Sequence, residues 1–104
     1  MATNAHTRLR LWLVDKIQKI PNCKVITMEA GAVRGWPDLI ICAGGRFVAW
    51  EIKIPPDKLS AIQKRRFEEL AHAGALCQVV TPGNKNQRLE DLEVIEFSSR
   101  RASL

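Results

Sequence analysis

Residues 36–41 read WPDLII and residues 49–54 read AWEIKI, and these two stretches decide which fold the chain is expected to adopt. The first places Asp38 at the start of an apolar run. The second places Glu51 and Lys53 inside the next apolar run, thirteen residues after Asp38. Successive side chains of a strand point to opposite faces, so Glu51 and Lys53 share one face. The alternating apolar residues can fill a core on the other face: Val48, Trp50, Ile52 and Ile54.

The two acids and the lysine are expected to meet. If the runs that contain Asp38 and Glu51 are neighbouring strands, both carboxylates and the Lys53 ammonium converge on one patch. Such a group is unfavourable to bury without a cation. It suits a divalent metal that binds the acids, with the lysine near a scissile phosphate and its attacking water.

The rest of the chain predicts alternating helices and strands. We expect helices over residues 6–20 and 61–73, and strands over 23–28, 38–43, 46–54 and 76–81. Gly44-Gly45 predicts a hairpin turn between the second and third strands. Ser60 can cap the second helix with Gln63 in a capping box, and Gly74 can end it. The order helix, three strands, helix, strand predicts a small α/β sandwich.

The chain is expected to form a single domain over residues 1–104, with its core over about 6–82. Its 46% hydrophobic content is typical of a globular protein. The C-terminal extension, 83–97, predicts a short helix over 87–92 and an edge strand over 93–97. Residues 98–104 are expected to be frayed.

Four blocks in this order carry a resemblance: Gly35-Trp36-Pro37-Asp38, Gly44-Gly45-Arg46-Phe47, Glu51-Ile52-Lys53 and Leu59-Ser60-Ala61-Ile62-Gln63, with Gly74 after them. Over about residues 8–82 the chain resembles the virus-type replication-repair nuclease domain. That domain belongs to the metal-dependent nuclease superfamily with the signature Pro-Asp, spacer, Asp/Glu-x-Lys. The resemblance implies a restriction-endonuclease-like core, a mixed sheet flanked by helices in the order α-β-β-β-α-β.

The resemblance also implies roles for individual residues. Asp38 and Glu51 would bind Mg²⁺ or Mn²⁺ together with the backbone carbonyl of Ile52. Lys53 would position or help to deprotonate the water and stabilise the charge that develops on phosphate. Gln63 would approach the site, although its capping-box spacing explains it without any chemistry. Taken alone, Asp38 could be a turn acid, and Glu51 with Lys53 could be an exposed ion pair.

One family feature is missing from this sequence. The family usually carries a glutamate near the start of its first helix as an additional metal ligand, and this chain has no acid there. His6 could replace that glutamate, although a histidine near a terminus is more often a surface residue. Asp15 and Glu29 are the other candidates, and water ligands, which magnesium tolerates, are the fourth possibility.

A net charge of +5, from sixteen lysines and arginines, favours a polyanionic partner. Arg34 lies in the loop that leads into the site, where it could hold a phosphate. A basic run around the second helix could follow a DNA backbone: Lys58, Lys64, Arg65 and Arg66. The run could equally be a solvated helix face. No base-reading motif is present, which favours recognition of DNA structure over recognition of DNA sequence.

These expectations together predict a metal-dependent DNA endonuclease. By resemblance its substrates are branched DNAs such as four-way junctions, in phage or bacterial replication and repair. The main alternative is a non-catalytic nucleic-acid-binding module that retains the nuclease fold, and the missing first-helix acid favours it. A fragment of a restriction-type nuclease is a third alternative, but no sequence-reading segment is evident.

A homodimer is expected, because a junction resolvase holds two sites in opposed orientation. Leu11 and Val14 lie outside the apolar stripe of the first helix and need cover, and the apolar tail residues could supply it across a twofold axis. The tail could instead fold back within one chain. No membrane span is expected, since no apolar run approaches roughly 20 residues. Three scattered cysteines without a CxxC pair predict no zinc site and a cytoplasmic protein, of a bacterium or a phage-infected cell.

Overall fold

The structure, a computed structural model, describes residues 4–29 and 33–102, with side chains as far as Arg100. Three helices and four strands alternate along the chain: α1 (Ala5–Gln18), β1 (Cys23–Thr27), β2 (Leu39–Ala43), β3 (Arg46–Ile52), α2 (Ala61–His72), β4 (Leu76–Val80) and α3 (Lys85–Ala102). The predicted α/β class and the order of its first six elements are confirmed. The predicted strands over 38–43 and 46–54 are each slightly too long, as is the helix over 6–20.

The four strands form one mixed sheet in the order β1-β2-β3-β4. The pairs β1–β2 and β2–β3 are antiparallel, whereas β3 and β4 are parallel and are joined by the crossover through α2. The predicted hairpin turn at Gly44-Gly45 is present, and both glycines have positive φ, 59° and 92°. A side chain at Gly44 would collide with the backbone carbonyl of Glu96 in α3, so only glycine lets the hairpin pack there.

The hydrophobic core lies between the sheet and the pair α1 and α3. Alternate residues of β3 point into it, and Val48, Trp50 and Ile52 are fully buried. The predicted inner face of α1 is buried at Leu9, Leu13 and Ile17, which recur at helical spacing. The expectation that the helix packs one apolar face against the sheet is therefore confirmed.

The second face of the sheet is covered only in part. There α2 packs against β4, and the Cys77 thiol approaches the carbonyl of Phe67 at 3.8 Å. On this face the side chains of β1, β2 and the start of β3 are not covered by α2, so Ile26 of β1 and Phe47 of β3 remain exposed. Cys42 lies in the same uncovered region, so an apolar sequence context does not bury its thiol.

The prediction for the C-terminal extension is correct for the helix over 87–92, which lies within α3, and wrong for the rest. Residues expected to form an edge strand over 93–97 and a frayed end over 98–104 belong to α3 as far as Ala102, and residues 103–104 lie outside the described part. The sheet face that α1 shares explains the helix, because helical spacing brings Leu89, Leu92 and Ile95 of α3 onto the core on that face. The Arg100 guanidinium lies 3.0 Å from the Glu96 carboxylate, which is four residues earlier. This ion pair supports the helical turn that extends beyond residue 97.

Over the described residues, none of the three helices combines the length and the apolar character that a bilayer crossing requires.

Candidate active site

Asp38 lies immediately before β2 and is fixed against β3. Its Oδ2 atom accepts a hydrogen bond of 2.8 Å from the backbone amide of Ile52. The preceding Pro37 is fully buried, which anchors the chain where it enters the strand. Asp38 is thus directed towards the end of β3 that carries Glu51 and Lys53, whereas a simple turn acid would point into solvent.

Glu51 is a buried carboxylate with only 4% of its surface exposed. Its Oε2 atom lies 3.0 Å from the Gln63 amide nitrogen and 3.5 Å from the Lys53 ammonium. Its Oε1 atom is buried without a hydrogen-bond partner. The sequence allowed an exposed ion pair at this strand, but the burial of Glu51 contradicts that alternative.

The environment of Glu51 disfavours its negative charge. Burial and, to a smaller extent, the neighbouring charge of Asp38 raise the pKa of the Glu51 carboxyl to about 7. The Lys53 ammonium opposes this shift but does not cancel it. An additional cation would therefore stabilise the ionised carboxylate.

Gln63 makes both of the contacts that its sequence position allowed. Its Oε1 atom accepts a hydrogen bond from the backbone amide of Ser60 at 2.9 Å. The Ser60 hydroxyl accepts one from the backbone amide of Gln63 at 3.3 Å, which completes the capping box of α2. Its Nε2 atom is the donor to Glu51. The Gln63 side chain therefore both stabilises the start of α2 and orients the buried Glu51 carboxylate.

His6 lies where the family's first-helix acid was expected. The Asn4 side chain caps α1 by accepting from the Thr7 amide at 2.8 Å, which places His6 in the first turn. Its Nε2 atom lies 3.2 Å from Asp38 Oδ2. An ionised carboxylate only accepts hydrogen bonds, so Nε2 carries the proton in this arrangement. His6 is here a donor to Asp38, and its Nε2 atom could bind a metal only after giving up that proton.

The two acids lie on the wall of one cavity of about 440 Å³. Glu29 and Arg34 line the same cavity, whereas the nearest charged partner of Asp15 is Lys19 on α1, at 3.2 Å. The remaining lining residues are Met28, Val33, Gly35, Trp36 and Gln63. The structure thus brings Glu29 to the site and leaves Asp15 outside it.

The loop that forms this cavity is held against α2. The Arg66 guanidinium donates to the carbonyl of Arg34 at 3.1 Å and to both carboxylate oxygens of Glu69. Gly35 has a φ of 78°, and a side chain there would come within 2.8 Å of Ile62. The sequence analysis placed Arg66 among the DNA-binding residues and did not predict its contacts inside the protein. The available signal was the position of Glu69 three residues later, which allows an ion pair along the helix.

The other basic residues of this region remain exposed. Lys58 precedes α2, and Lys64 and Arg65 lie on its solvent-facing side. Since the half-buried Arg66 guanidinium is paired with Glu69 and with the Arg34 carbonyl, its charge is partly compensated, whereas Lys58, Lys64 and Arg65 are exposed.

The donor set fits a hard divalent cation that keeps several water ligands. Among residues 4–29 and 33–102, no group of three or more histidine, cysteine or acidic side chains lies close enough to hold a metal. Two carboxylates and water are nevertheless sufficient for Mg²⁺, which retains part of its hydration shell. The Oε1 atom of Glu51 is buried without a hydrogen-bond partner, so it is available as one of these oxygen ligands.

The fold defines the class first: a mixed sheet flanked by helices, with Asp38 immediately before its second strand and Glu51 near the end of its third, is a restriction-endonuclease-like fold. Among solved structures the chain is similar to one described as a VRR_NUC domain protein, with 18% sequence identity and a TM-score of 0.64. The similarity covers 90% of this chain and 86% of that one. The chain therefore has a VRR_NUC-like fold. No family model matches the sequence, and neither does any curated protein.

Proposed function

We propose that this protein is a Mg²⁺- or Mn²⁺-dependent endonuclease that hydrolyses phosphodiester bonds in DNA. The observation that carries the proposal is Glu51, a buried carboxylate that has one unpartnered oxygen and lies beside Lys53. A protein with no use for a charge here would replace Glu51 with an apolar residue, because a buried, poorly compensated carboxylate is destabilising.

Asp38 and Glu51 would hold the cation, with the carbonyl of Ile52 as a further ligand. When bound, the cation would polarise the phosphate and lower the pKa of its bound water. Lys53 would lie beside the reacting phosphate, where its ammonium stabilises negative charge and orients water. Gln63 keeps Glu51 in place through the contact at 3.0 Å, and His6 does the same for Asp38.

Branched DNA, such as a four-way junction, is the proposed substrate. Arg34 lines the acid cavity, as does Gln63 of α2, and the exposed cations Lys58, Lys64 and Arg65 lie close to Gln63 in the chain. These four cations suit a phosphate backbone. The sequence contains no base-reading motif, which favours selection by DNA structure over selection by DNA sequence. Replication and repair in a bacterium or a phage-infected cell, in the cytoplasm, is the corresponding setting.

A homodimer is part of this proposal, since paired cuts require two sites in opposed orientation. The tail folds back within the chain and buries Leu92, which removes the edge-strand route to a dimer. Three apolar side chains on the outer surfaces of α1 and α3 nevertheless stay half exposed or more: Leu11 at 59%, Val94 at 65% and Phe97 at 50%. These residues are the proposed contact between protomers.

A non-catalytic nucleic-acid-binding module is the competing function. The observation that favours it is His6, which stands at the position of the expected first-helix acid and donates to Asp38. A site of this kind could retain its fold and its positive surface without turnover.

Cleavage of labelled junction, flap, duplex and single-stranded DNA decides between the two functions. We expect cleavage with magnesium or manganese, no cleavage with chelator, and faster cleavage of branched DNA than of duplex. Glu51→Gln should bind the same DNAs without cutting them. DNA binding by the wild-type protein without cleavage in either metal would establish the binding module instead.

A further inference from the structure

A second positively charged surface lies along the first half of α1. A groove of about 300 Å³ is lined by Ala5, Arg8, Leu9, Trp12, Pro82 and Lys85. It shares no lining residue with the cavity that contains Asp38 and Glu51. It belongs to the side of the sheet covered by α1 and α3, whereas α2 and its exposed cations lie on the opposite side.

Trp12, which lines this groove, lies near two ammonium groups: that of Lys85, which also lines the groove, and that of Lys16, which follows one turn later on α1. Lys85 Nζ lies 4.2 Å from the centre of the indole ring, and Lys16 Nζ lies 5.6 Å from it. The indole attracts both cations through its quadrupole. In the part of the chain that the structure describes, neither lysine forms an ion pair with a carboxylate. Two cations held near one ring without a counter-charge favour an anionic ligand.

The groove is directly connected to the residues around the acid pair. Ala5 precedes His6, whose ring contacts Asp38 at 3.2 Å. On the other side, the Lys53 amide donates to the carbonyl of Val80 at 2.9 Å, and Pro82 follows two residues later. Because β3 and β4 are parallel, their carboxyl ends meet at one edge of the sheet, and the groove opens beside that edge.

We infer that the Trp12 groove binds the phosphodiester backbone of a nucleic-acid strand beyond the phosphate that lies at the acid pair. Lys16 and Lys85 contact phosphates there, and Trp12 is a positioning residue that holds the two ammonium groups in place. The choice of a nucleic acid as the polyanion rests on the proposed function. The strand would be held from both sides of the sheet edge, by α2 on one side and by this groove on the other.

The inference is tested by fluorescence anisotropy with labelled junction and single-stranded DNA, in chelator so that no cleavage occurs. The variant Lys16→Gln/Lys85→Gln removes the two ammonium groups that lie near the Trp12 ring. The control, Lys24→Gln/Arg46→Gln, removes the same charge from the opposite end of the sheet, where Lys24 pairs with Cys42 and Arg46 with Ala43.

We expect the groove variant to lose roughly tenfold or more in affinity at physiological salt, and its salt slope to fall by about two, one for each lost phosphate contact. The control should change affinity by much less. Equal losses in both variants would reduce the effect to net charge and overturn the inference, as would an unchanged affinity in the groove variant. Equally tight binding of a mononucleotide would overturn the assignment to a strand.

Trp12→Leu keeps both charges and most of the apolar bulk. If the indole only positions the lysines, this variant should bind less tightly than wild type but retain the wild-type salt slope. A fall in its slope equal to that of the lysine variant would contradict the positioning role. Binding is measured without metal and therefore does not depend on catalysis. If the wild-type protein fails to cleave DNA in magnesium or manganese, only the nuclease proposal is refuted. If the lysine variant keeps the wild-type affinity and the wild-type salt slope, only the assignment of the groove is refuted.

Discussion

The Gln63 amide nitrogen donates to Glu51 Oε2 at 3.0 Å, while the Gln63 amide oxygen accepts from the Ser60 backbone. The start of α2 and the orientation of the buried carboxylate therefore depend on the same side chain. Sequence spacing gave two competing explanations for Gln63, and the structure satisfies both at once.

Two substitutions separate these two contributions of Gln63. Ser60→Ala removes the cap and should lower the free energy of unfolding by about 1 kcal/mol with little effect on turnover. Gln63→Ala should produce a similar loss of stability and, in addition, a roughly tenfold or greater loss of kcat, since hydrogen bonds to charged groups contribute about 1.5–3 kcal/mol. Thermal unfolding and single-turnover cleavage measure the two effects. Equal cleavage rates in the two variants would restrict Gln63 to the cap.

The raised pKa of Glu51 predicts a pH-dependent stability of the metal-free protein. The carboxyl has a pKa of about 7 in the folded protein and about 4.3 in the unfolded chain. Between these values the folded state binds more protons, so the free energy of unfolding falls as pH rises from about 4 to 7 and then levels. Glu51→Gln should remove this fall and be more stable than wild type at pH 8, by an amount on the order of 2–3 kcal/mol.

Urea unfolding at pH 5 and pH 8 in chelator measures the difference. Glu68→Gln is the matched control, because Glu68 is an exposed acid on α2 and its replacement removes the same charge. If the difference in the free energy of unfolding between wild type and Glu51→Gln is the same at pH 5 and pH 8, the folded protein does not disfavour the ionised form of Glu51.

Divalent cations should stabilise the wild-type protein and support cleavage selectively. Magnesium and manganese should raise Tm at pH 8, because binding to the folded state alone adds to stability. Calcium should bind without supporting efficient turnover, since it suits the same oxygen ligands but holds them in looser geometry. The rise in Tm should disappear in Glu51→Gln. Full cleavage in excess chelator would exclude a metal requirement.

DNA affinity should fall steeply as salt rises, because phosphate contacts release counterions. Lys64→Gln/Arg65→Gln should weaken binding to every substrate by a similar factor and leave the preferred substrate unchanged. Arg66→Gln should behave differently, because Arg66 holds the loop at Arg34, and its loss should lower kcat as well as affinity. Anisotropy titrations from low to physiological ionic strength test both expectations, and a flat salt dependence would contradict the first.

Light scattering at micromolar concentration tests the homodimer. The mass should be twice that of one chain, and a mass near 11.7 kDa would refute the dimer. Leu11→Glu should shift the protein towards monomer, because it places a charge on an exposed apolar position of α1. Gln18→Glu, at an exposed polar position of the same helix, should leave the mass unchanged.

The sequence by itself determined the sheet and the acid pair. Alternating apolar residues on either side of Gly44-Gly45 allow one hairpin and one register, because a slip by one residue would move the apolar side chains of β3 out of the core. That register brings Asp38 beside the end of β3 that carries Glu51 and Lys53. The capping box of α2 is local in the same way, since its contacts span three residues.

Tertiary structure alone decided the C-terminal helix and the surroundings of the acids. The segment around Leu92 and Ile95 is compatible with a short strand or a helix, and the choice depends on the sheet face that α3 must cover. The contact of His6 with Asp38 joins residues 32 positions apart, and the hold of Arg66 on the loop at Arg34 spans the same separation. Such contacts depend on how helices pack across the sheet, and no local pattern of residues encodes that packing.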